Sequence, residues 1–324
     1  MDFQAVPKVE LHLHLDCSLS FEVVSFLQPE ITVEKFRSGF IAPAKNENLA
    51  EVLRVIDNAL ALMQNEKALR LVTQDLFRQL AAENVKYAEI RFAPHLHTRS
   101  GLNAEEVVRI VDEAFRDCMS ETGVQAGLVL CTLRHYSEEQ SLETVRLVEK
   151  FLHSNVVALD LAADEAGFSI QPHVKAFQYA VANEIPRIAH CGEARGPESI
   201  RETLDLLKPM RLSHGVRCVE DPELVEELRD RQIHLEVCPT CNIQVNVFPA
   251  YADHPINQLY EAGLSVGINT DGRTLANVSL SDEYRKLAEV FGWGKAHFAR
   301  CNSDALAASF LSEHHKRRLQ KHFH

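Results

Sequence analysis

Eight short apolar segments, most followed by a helical pattern, constrain the fold of this chain more than any other feature. They fall at about residues 8–15, 86–93, 125–133, 156–162, 187–192, 211–216, 233–238 and 264–270. Short runs that are apolar throughout are the mark of strands buried on both faces, as in parallel sheets. Most of the gaps repeat apolar residues at helical spacing. Leu142, Val145, Val148 and Leu152 share one helix face, and Asp221-Pro222-Glu223 opens a helix with a capping Asp, a first-turn Pro and an early acid. Strand then helix, repeated eight times, predicts an α/β fold, a (β/α)8 TIM barrel with helices outside. The first gap is longer. Helical patterns near 20–28, 47–65 and 66–83, divided by Gly39-Phe40-Ile41-Ala42-Pro43-Ala44, predict extra helices at 17–85 near the barrel mouth. No linker or repeat demands a second domain, so residues 1–324 read as one barrel domain, with a solvated helix end beyond Ser312.

Residues able to bind metal sit at the ends of these segments. In Val9-Glu10-Leu11-His12-Leu13-His14-Leu15-Asp16 the two histidines lie two apart, so a strand projects both imidazoles from one face. His-x-His alone is a weak signal, since two hydrogen-bonded surface histidines look the same. Three further segments, however, end in His190 with Glu193, in His214 and in Asp271. Barrel active sites form at the carboxyl ends of the strands. His12, His14, His190, His214 and Asp271 are therefore expected to converge on one mononuclear metal centre.

Charge narrows the partners. A net charge of −12 leaves no basic footprint for nucleic acid, so none is expected. The N-terminus lacks a signal-peptide pattern and no apolar run reaches membrane length, so no membrane partner is expected either. Eight scattered cysteines read as reduced thiols, which with the preceding points predicts a cytoplasmic location. A small-molecule substrate remains; the oligomeric state is not encoded legibly.

Six stretches, 7–16 (PKVELHLHLD), 87–97 (YAEIRFAPHLH), 190–200 (HCGEARGPESI), 212–215 (LSHG), 236–242 (EVCPTCN) and 268–271 (INTD), closely resemble the adenosine deaminase branch of the amidohydrolase superfamily, in the family's order. The resemblance, of bacterial type, implies a zinc-dependent barrel with one Zn²⁺ per chain held by His12, His14, His190 and Asp271. It implies Glu193 as proton donor, His214 as the group that positions the attacking water, and Asp16 as a sugar contact, with His14, Ala163 and Gly272 also at the substrate. The implied reaction is hydrolytic deamination of a 6-aminopurine nucleoside, foremost adenosine or 2′-deoxyadenosine, to the inosine-type product and ammonia. Residue chemistry agrees: three imidazoles and a carboxylate suit Zn²⁺, and Asp271 can also accept a proton from water.

Three positions depart from the family pattern. Gly272, followed by Arg273, stands where many relatives have a second Asp that bonds purine N7. Ala163 stands where relatives often have Gly, and Cys17 replaces the Gly of HLDG. The base-recognition groups are altered, which keeps adenine, an N6-substituted adenosine and a ribose-modified nucleoside such as aminodeoxyfutalosine open as substrates. Arg273 either faces the mouth and favours anionic substrates or caps its loop. Asp16, beside Ser18 and Ser20, competes as a helix N-cap. Cys238-Pro239-Thr240-Cys241 has no second C-x-x-C and reads as structural, with a sulfur ligand to the metal as its alternative. His95, His97, His135, His153 and His173 are expected to have no role. Two other classes fare worse. The cytidine-type zinc deaminase needs a P-C-x-x-C that is absent, and an inactive binding protein of this fold would be expected to lose Glu193, His214 or a ligand, all of which are retained.

Overall fold

Continuous apolar runs form eight parallel strands in the computed structural model, which describes residues 1–47 and 49–323, with the side chains of 49 and 50 excepted. Asn48, inside the expected helical stretch 47–65, and His324 lie outside the described residues. The strands are β1 (Lys8–His14), β2 (Val85–Phe92), β3 (Gln125–Leu133), β4 (Val156–Ala162), β5 (Arg187–Cys191), β6 (Arg211–His214), β7 (His234–Val237) and β8 (Val266–Ile268). Each pairs with the next in sequence order, and helices fill most of the connections, so the barrel expected from the sequence is present. Asn269 closes it. Its side-chain oxygen accepts from the backbone N–H of Leu11 and of His12, at 2.8 and 3.0 Å. Beyond it, His14 N–H donates to the Asp271 carbonyl at 2.6 Å and Asp271 N–H to that of His12 at 3.1 Å. A side chain thus replaces ladder bonds at the seam, and β8 stops at Ile268, short of the expected 270.

The two faces of these strands differ in a way that apolar runs do not advertise. Residues toward the helices, such as Leu13, Ile90, Leu128 and Leu159, join the main hydrophobic core. Glu10, His12, Glu89, Arg91, Asp160, Arg211, Ser213 and Glu236 are also all but fully buried. Charges there persist only when paired, because each unpaired ion costs several kcal/mol to desolvate. Arg91 meets that condition: Nη1 donates to Asp160 at 2.9 Å and Ser213 at 2.7 Å, Nη2 to Glu236 at 2.7 Å and the Leu11 carbonyl at 2.6 Å. Arg211 bonds Glu236 through Nε at 2.8 Å and also bonds Glu89.

The insertion after β1 holds more helices than its periodicity predicts: Phe21–Leu27, Val33–Phe40, Leu49–Leu53, Ile56–Leu62 and Glu66–Ala82. Val33–Phe40 was not anticipated, because it ends inside the Gly39–Ala44 break and buries only two aromatics, Phe36 and Phe40. Ser20, not Asp16, caps the helix after β1, accepting from Val23 N–H at 3.2 Å. The C-terminal segment also differs from expectation. Its helix Glu313–Gln320 is capped by Ser312, but Leu319 and Phe323 are buried against Val9, Leu11 and Tyr87 rather than solvated. Among the described residues no helix is long and apolar enough to cross a membrane.

His234, at the start of β7, gives the fold a measurable pH dependence. Its Nδ1 bonds Ser265 at 2.7 Å, and burial, then Arg211, lowers its pKa to about 3. An unfolded histidine titrates near 6.5, so between pH 6.5 and 3 the unfolded chain binds the extra proton. The contribution is complete above pH 6.5 and is lost as pH falls toward 3. His234→Gln is expected to flatten the unfolding free energy against pH by about 1.4 kcal/mol per unit near pH 5, read from urea unfolding at pH 5, 6 and 7.5. An unchanged slope would show that His234 is protonated in the folded protein.

Candidate active site

The strand ends turn sharply at the residues singled out in the sequence. Ala163, His214 and Asp271 all have positive φ, at 80°, 63° and 63°. Left-handed backbone costs a residue with a side chain roughly 1–2 kcal/mol, and such strain gathers at functional sites.

The ligating atoms of His12, His14 and His190 lie within 4.8 Å of one another. Nε2 of His14 is 3.4 Å from Nε2 of His190, and Oδ1 of Asp271 is 3.3 Å from Nε2 of both His12 and His14. Four donors arranged tetrahedrally at metal-ligand distance would sit about 3.3 Å apart. His12 is fully buried, yet neither ring nitrogen makes a well-directed hydrogen bond. His190 has acceptors at Nδ1, Asp160 at 3.2 Å and the Leu161 carbonyl at 3.0 Å, so Nδ1 carries the hydrogen and Nε2 is left free. Burial holds His14 and His190 below the ordinary histidine range, where imidazole is neutral. Against the cost of burial, His12, His14 and His214 hold Asp271 well below the usual carboxylate range. Donor type, spacing and an orphaned buried imidazole all fit a divalent ion.

Glu193 follows Gly192, whose φ of 64° turns the chain over the barrel. Glu165 fixes that turn: its carboxylate accepts from the N–H of Gly192 at 2.7 Å, Glu193 at 3.0 Å and Arg195 at 2.9 Å, and from Ser199 Oγ at 2.6 Å. Burial, then the charges of Asp271 and Glu165, raises the Glu193 pKa well above the carboxylate range. Asn242 donates to Glu193 Oε1 at 2.9 Å and lies 3.2 Å from Nδ1 of His214, while His254 meets its Oδ1 at 3.1 Å. Nε2 of His214 lies 3.8 Å from Asp271 Oδ2. Glu165, Asn242, Asp160, Arg91 and Glu236 were missed as site residues. Asn242 closes the quoted EVCPTCN stretch and Arg91 and Asp160 lie in strands, but nothing local marks them out.

A cavity of about 460 Å³ joins His14, Asp16, Ala163, Glu193, His214 and Asp271. Burial raises Asp16 to about 6, and His97 Nε2 lies 3.9 Å away. His97 and His135, expected to have no role, thus border this region, and His135 lines the cavity. Cys241 Sγ lies 2.9 Å from Asp271 Oδ2, and burial keeps its thiol protonated. A larger groove of about 690 Å³, between the N-terminal residues and the C-terminal segment, carries no such cluster among the described residues.

Residues 7–324 match the family described as adenosine deaminase. The chain belongs to that family. An adenosine deaminase of Clostridium acetobutylicum is 35% identical over 98% of this chain and 96% of its own. Among solved structures, an adenine deaminase from Arthrobacter aurescens superposes with a TM-score of 0.91 at 28% identity, covering 98% of each chain. An N6-mAMP deaminase of Arabidopsis gives 0.88 at 26%, covering 99% and 98%. The protein is a hydrolytic deaminase acting on purines.

Two of this deaminase's departures from the family pattern are one packing event. A Cβ at Gly272 would lie 2.5 Å from Cys17 Cβ and 3.1 Å from Leu275 Cβ. A side chain at 272 and the cysteine at 17 therefore exclude each other, and the cavity wall is formed by Cys17 and Leu275, not by residue 272. Arg273 does not face the mouth. It is buried, paired with Glu10 at 2.8 Å and Glu83 at 2.5 Å, which removes it as a reader of anionic substrates.

Two measurements follow from this geometry. Asp160→Asn keeps the shape but weakens the acceptor that orients His190, so divalent-metal affinity is expected to fall roughly 10- to 100-fold in chelator competition; unchanged affinity would remove Asp160 from that role. Gly272→Asp is expected to lower stability by about 1–3 kcal/mol through overpacking. Adding Cys17→Gly should recover at least about 1 kcal/mol as coupling in a double-mutant cycle, and strict additivity would contradict the exclusion.

Proposed function

We propose that the protein is a zinc-dependent deaminase of 6-aminopurine nucleosides, adenosine and 2′-deoxyadenosine first, releasing the inosine-type product and ammonia. The observation that carries this reading is the clustering of three imidazoles and Asp271 beside a protonated Glu193 and a neutral His214 on one cavity floor. The relative in Clostridium supports the nucleoside, and the adenine and N6-mAMP deaminases support variation in what accompanies the 6-aminopurine. The cavity runs past Asp16 to Arg54 and Arg99, further than a bare base requires, which favours a nucleoside over adenine. Eight buried, unpaired cysteines support a reducing, cytoplasmic setting for a single barrel domain.

In this reading His12, His14, His190 and Asp271 would hold the zinc, which would supply Lewis acidity and make water acidic enough to attack near neutral pH. Glu193, kept protonated by burial, donates to N1 of the ring, so that N1 takes up an electron pair as C6 is attacked. His214 hydrogen-bonds the attacking water through Nε2 and steadies its negative charge, its Nδ1 side being held by Asn242. Asp271 accepts the proton that the water gives up. Asp271 returns that proton to the 6-amino group, and collapse of the tetrahedral carbon expels ammonia and leaves C6=O with N1–H, the hydroxyl proton restoring the acid form of Glu193. Asp16 contacts the ribose, and the Ala163 turn borders the base.

Zinc-loaded protein is expected to release ammonia from adenosine and 2′-deoxyadenosine faster than it releases ammonia from adenine or methylamine from N6-methyladenosine, all followed by formation of the 6-oxopurine. Adenosine inert beside an active alternative would reassign the substrate. Glu193→Gln should keep its zinc while kcat falls by roughly 10²- to 10⁴-fold; a loss under tenfold would place the acid elsewhere.

A further inference from the structure

We propose that Cys241, Glu193 and Asp271 form a second ion site on the cavity floor, which takes a thiophilic divalent cation, cadmium or excess zinc, and switches the deaminase off. This assignment rests on the reading of Glu193 as the acid and adds the cation that displaces its proton. The three side chains offer a sulfur and two carboxylate oxygens, all within 4.8 Å of one another, and all three line the same cavity. Asp271 faces two ways. Its Oδ1 is 3.3 Å from Nε2 of His12 and of His14, whereas its Oδ2 is 2.9 Å from Cys241 Sγ. One carboxylate can thus bridge an ion among the imidazoles and a second ion beside the thiol. Nε2 of His214 lies 3.8 Å from the same Oδ2 and supplies a further nitrogen donor.

The donor set decides which ion is taken. Sulfur selects soft and borderline cations, whereas magnesium and calcium prefer oxygen alone. Donor atoms on one zinc ion stand roughly 3.5 Å apart, so shifts of about an ångström close the set. Charge permits binding as well. A metal–sulfur bond and a metal–oxygen bond form, while the thiol proton of Cys241 and the carboxyl proton of Glu193 leave to solvent. A dication thus replaces two protons, and the buried floor gains no net charge to desolvate. The bound ion removes the proton that Glu193 gives to N1 and fills the place of the ring, which makes it a competitor of the nucleoside. Two other thiols have ligand partners. Cys238 groups with His12 and Asp271, but it is fully buried and its Sγ donates to the Glu236 carbonyl at 3.7 Å. Cys17 groups with His14 and Asp16. That group contains neither Glu193 nor Asp271, so an ion there would leave the acid free.

The test counts ions and rates separately. Zinc-loaded protein is dialysed against cadmium, bound zinc and cadmium are both measured, and the thiolate-to-cadmium charge-transfer band is followed in the ultraviolet. The parent should keep its zinc, take up one cadmium per chain and show the band, and cadmium should inhibit deamination in competition with adenosine. Cys241→Ser and Cys241→Ala should each abolish the band and weaken cadmium uptake by roughly tenfold or more, since losing a ligand costs at least what losing its supporting partner does. Glu193→Gln should weaken uptake and keep the band. Cys17→Ser should leave uptake and band unchanged. Release of one zinc for each cadmium bound overturns the proposal, because a single site then exists. So does a band that survives in both Cys241 variants or vanishes in Cys17→Ser, and so does uptake that leaves the rate unaltered. Uptake through Cys241 by a protein inert toward adenosine upholds the second site and overturns the adenosine reading instead.

Discussion

The guanidinium of Arg91 is the interaction on which the rest of this structure depends. Without exposure to water it must find its partners inside the barrel, and it finds them on β1, β4, β6 and β7. A slip of one residue in any of these strands would turn the partner out of the barrel and leave a buried charge unpaired. The same partners reach outward to the metal ligands: Asp160 to Nδ1 of His190, and Glu236 to within 3.4 Å of Nδ1 of His12. Although burial opposes it, Asp160 and Glu236 are both held well below the carboxylate range, by His190 and Arg91 in one case and by Arg91 and Arg211 in the other. The network that fixes strand register therefore also fixes the tautomer of His190 and sets a carboxylate on the Nδ1 side of His12, so fold and ligand geometry share one set of bonds.

A second constraint keeps two carboxyl groups in opposite states on the same floor. Asp271 is surrounded by imidazoles and stays ionised. Glu193 receives a single side-chain amide, lies near the charges of Asp271 and Glu165, and stays protonated. Different environments separate the roles of an acid and a base that share a side-chain chemistry. The turn through Gly192 makes this possible. Ile200 Cδ1 would lie 2.4 Å from a Cβ there, and the Glu165 carboxylate gathers the backbone N–H groups of the turn. Glu165 spends its acceptors on backbone and Ser199, which leaves Glu193 with the Asn242 amide.

Much of this was legible in the sequence, for definite reasons. Strands buried on both faces must be short and mostly apolar, and loops at their carboxyl ends must carry the polar chemistry, so His12, His14, His190, His214 and Asp271 stood out. Charges inside the barrel did not, because Arg91, Asp160 and Glu236 each sit alone among apolar neighbours in sequence and pair only across strands. Asp16 and Arg273 show the opposite ambiguity. A carboxylate before Ser18 and Ser20 has the composition of a cap, but Ser20 holds that place. An arginine after the metal-ligand Asp has the look of a substrate contact, but Glu10 and Glu83, respectively 263 and 190 residues away in sequence, claim it.

The groups that differ from the family pattern share one location. Cys17, Ala163 and Gly272 all lie outside the strands, whereas the imidazole ligands lie within β1 and β5. Side chains on the ladder cannot change without disturbing the buried ion network, so the reaction chemistry is mechanically coupled to stability. Loop and insertion residues carry no such load. Cys17 can exchange bulk with residue 272 by a local trade of volume. A barrel built in this way holds the hydrolytic step fixed while the walls that meet base and ribose vary, which is why substrate identity has to be read from the loops and reaction class from the strands.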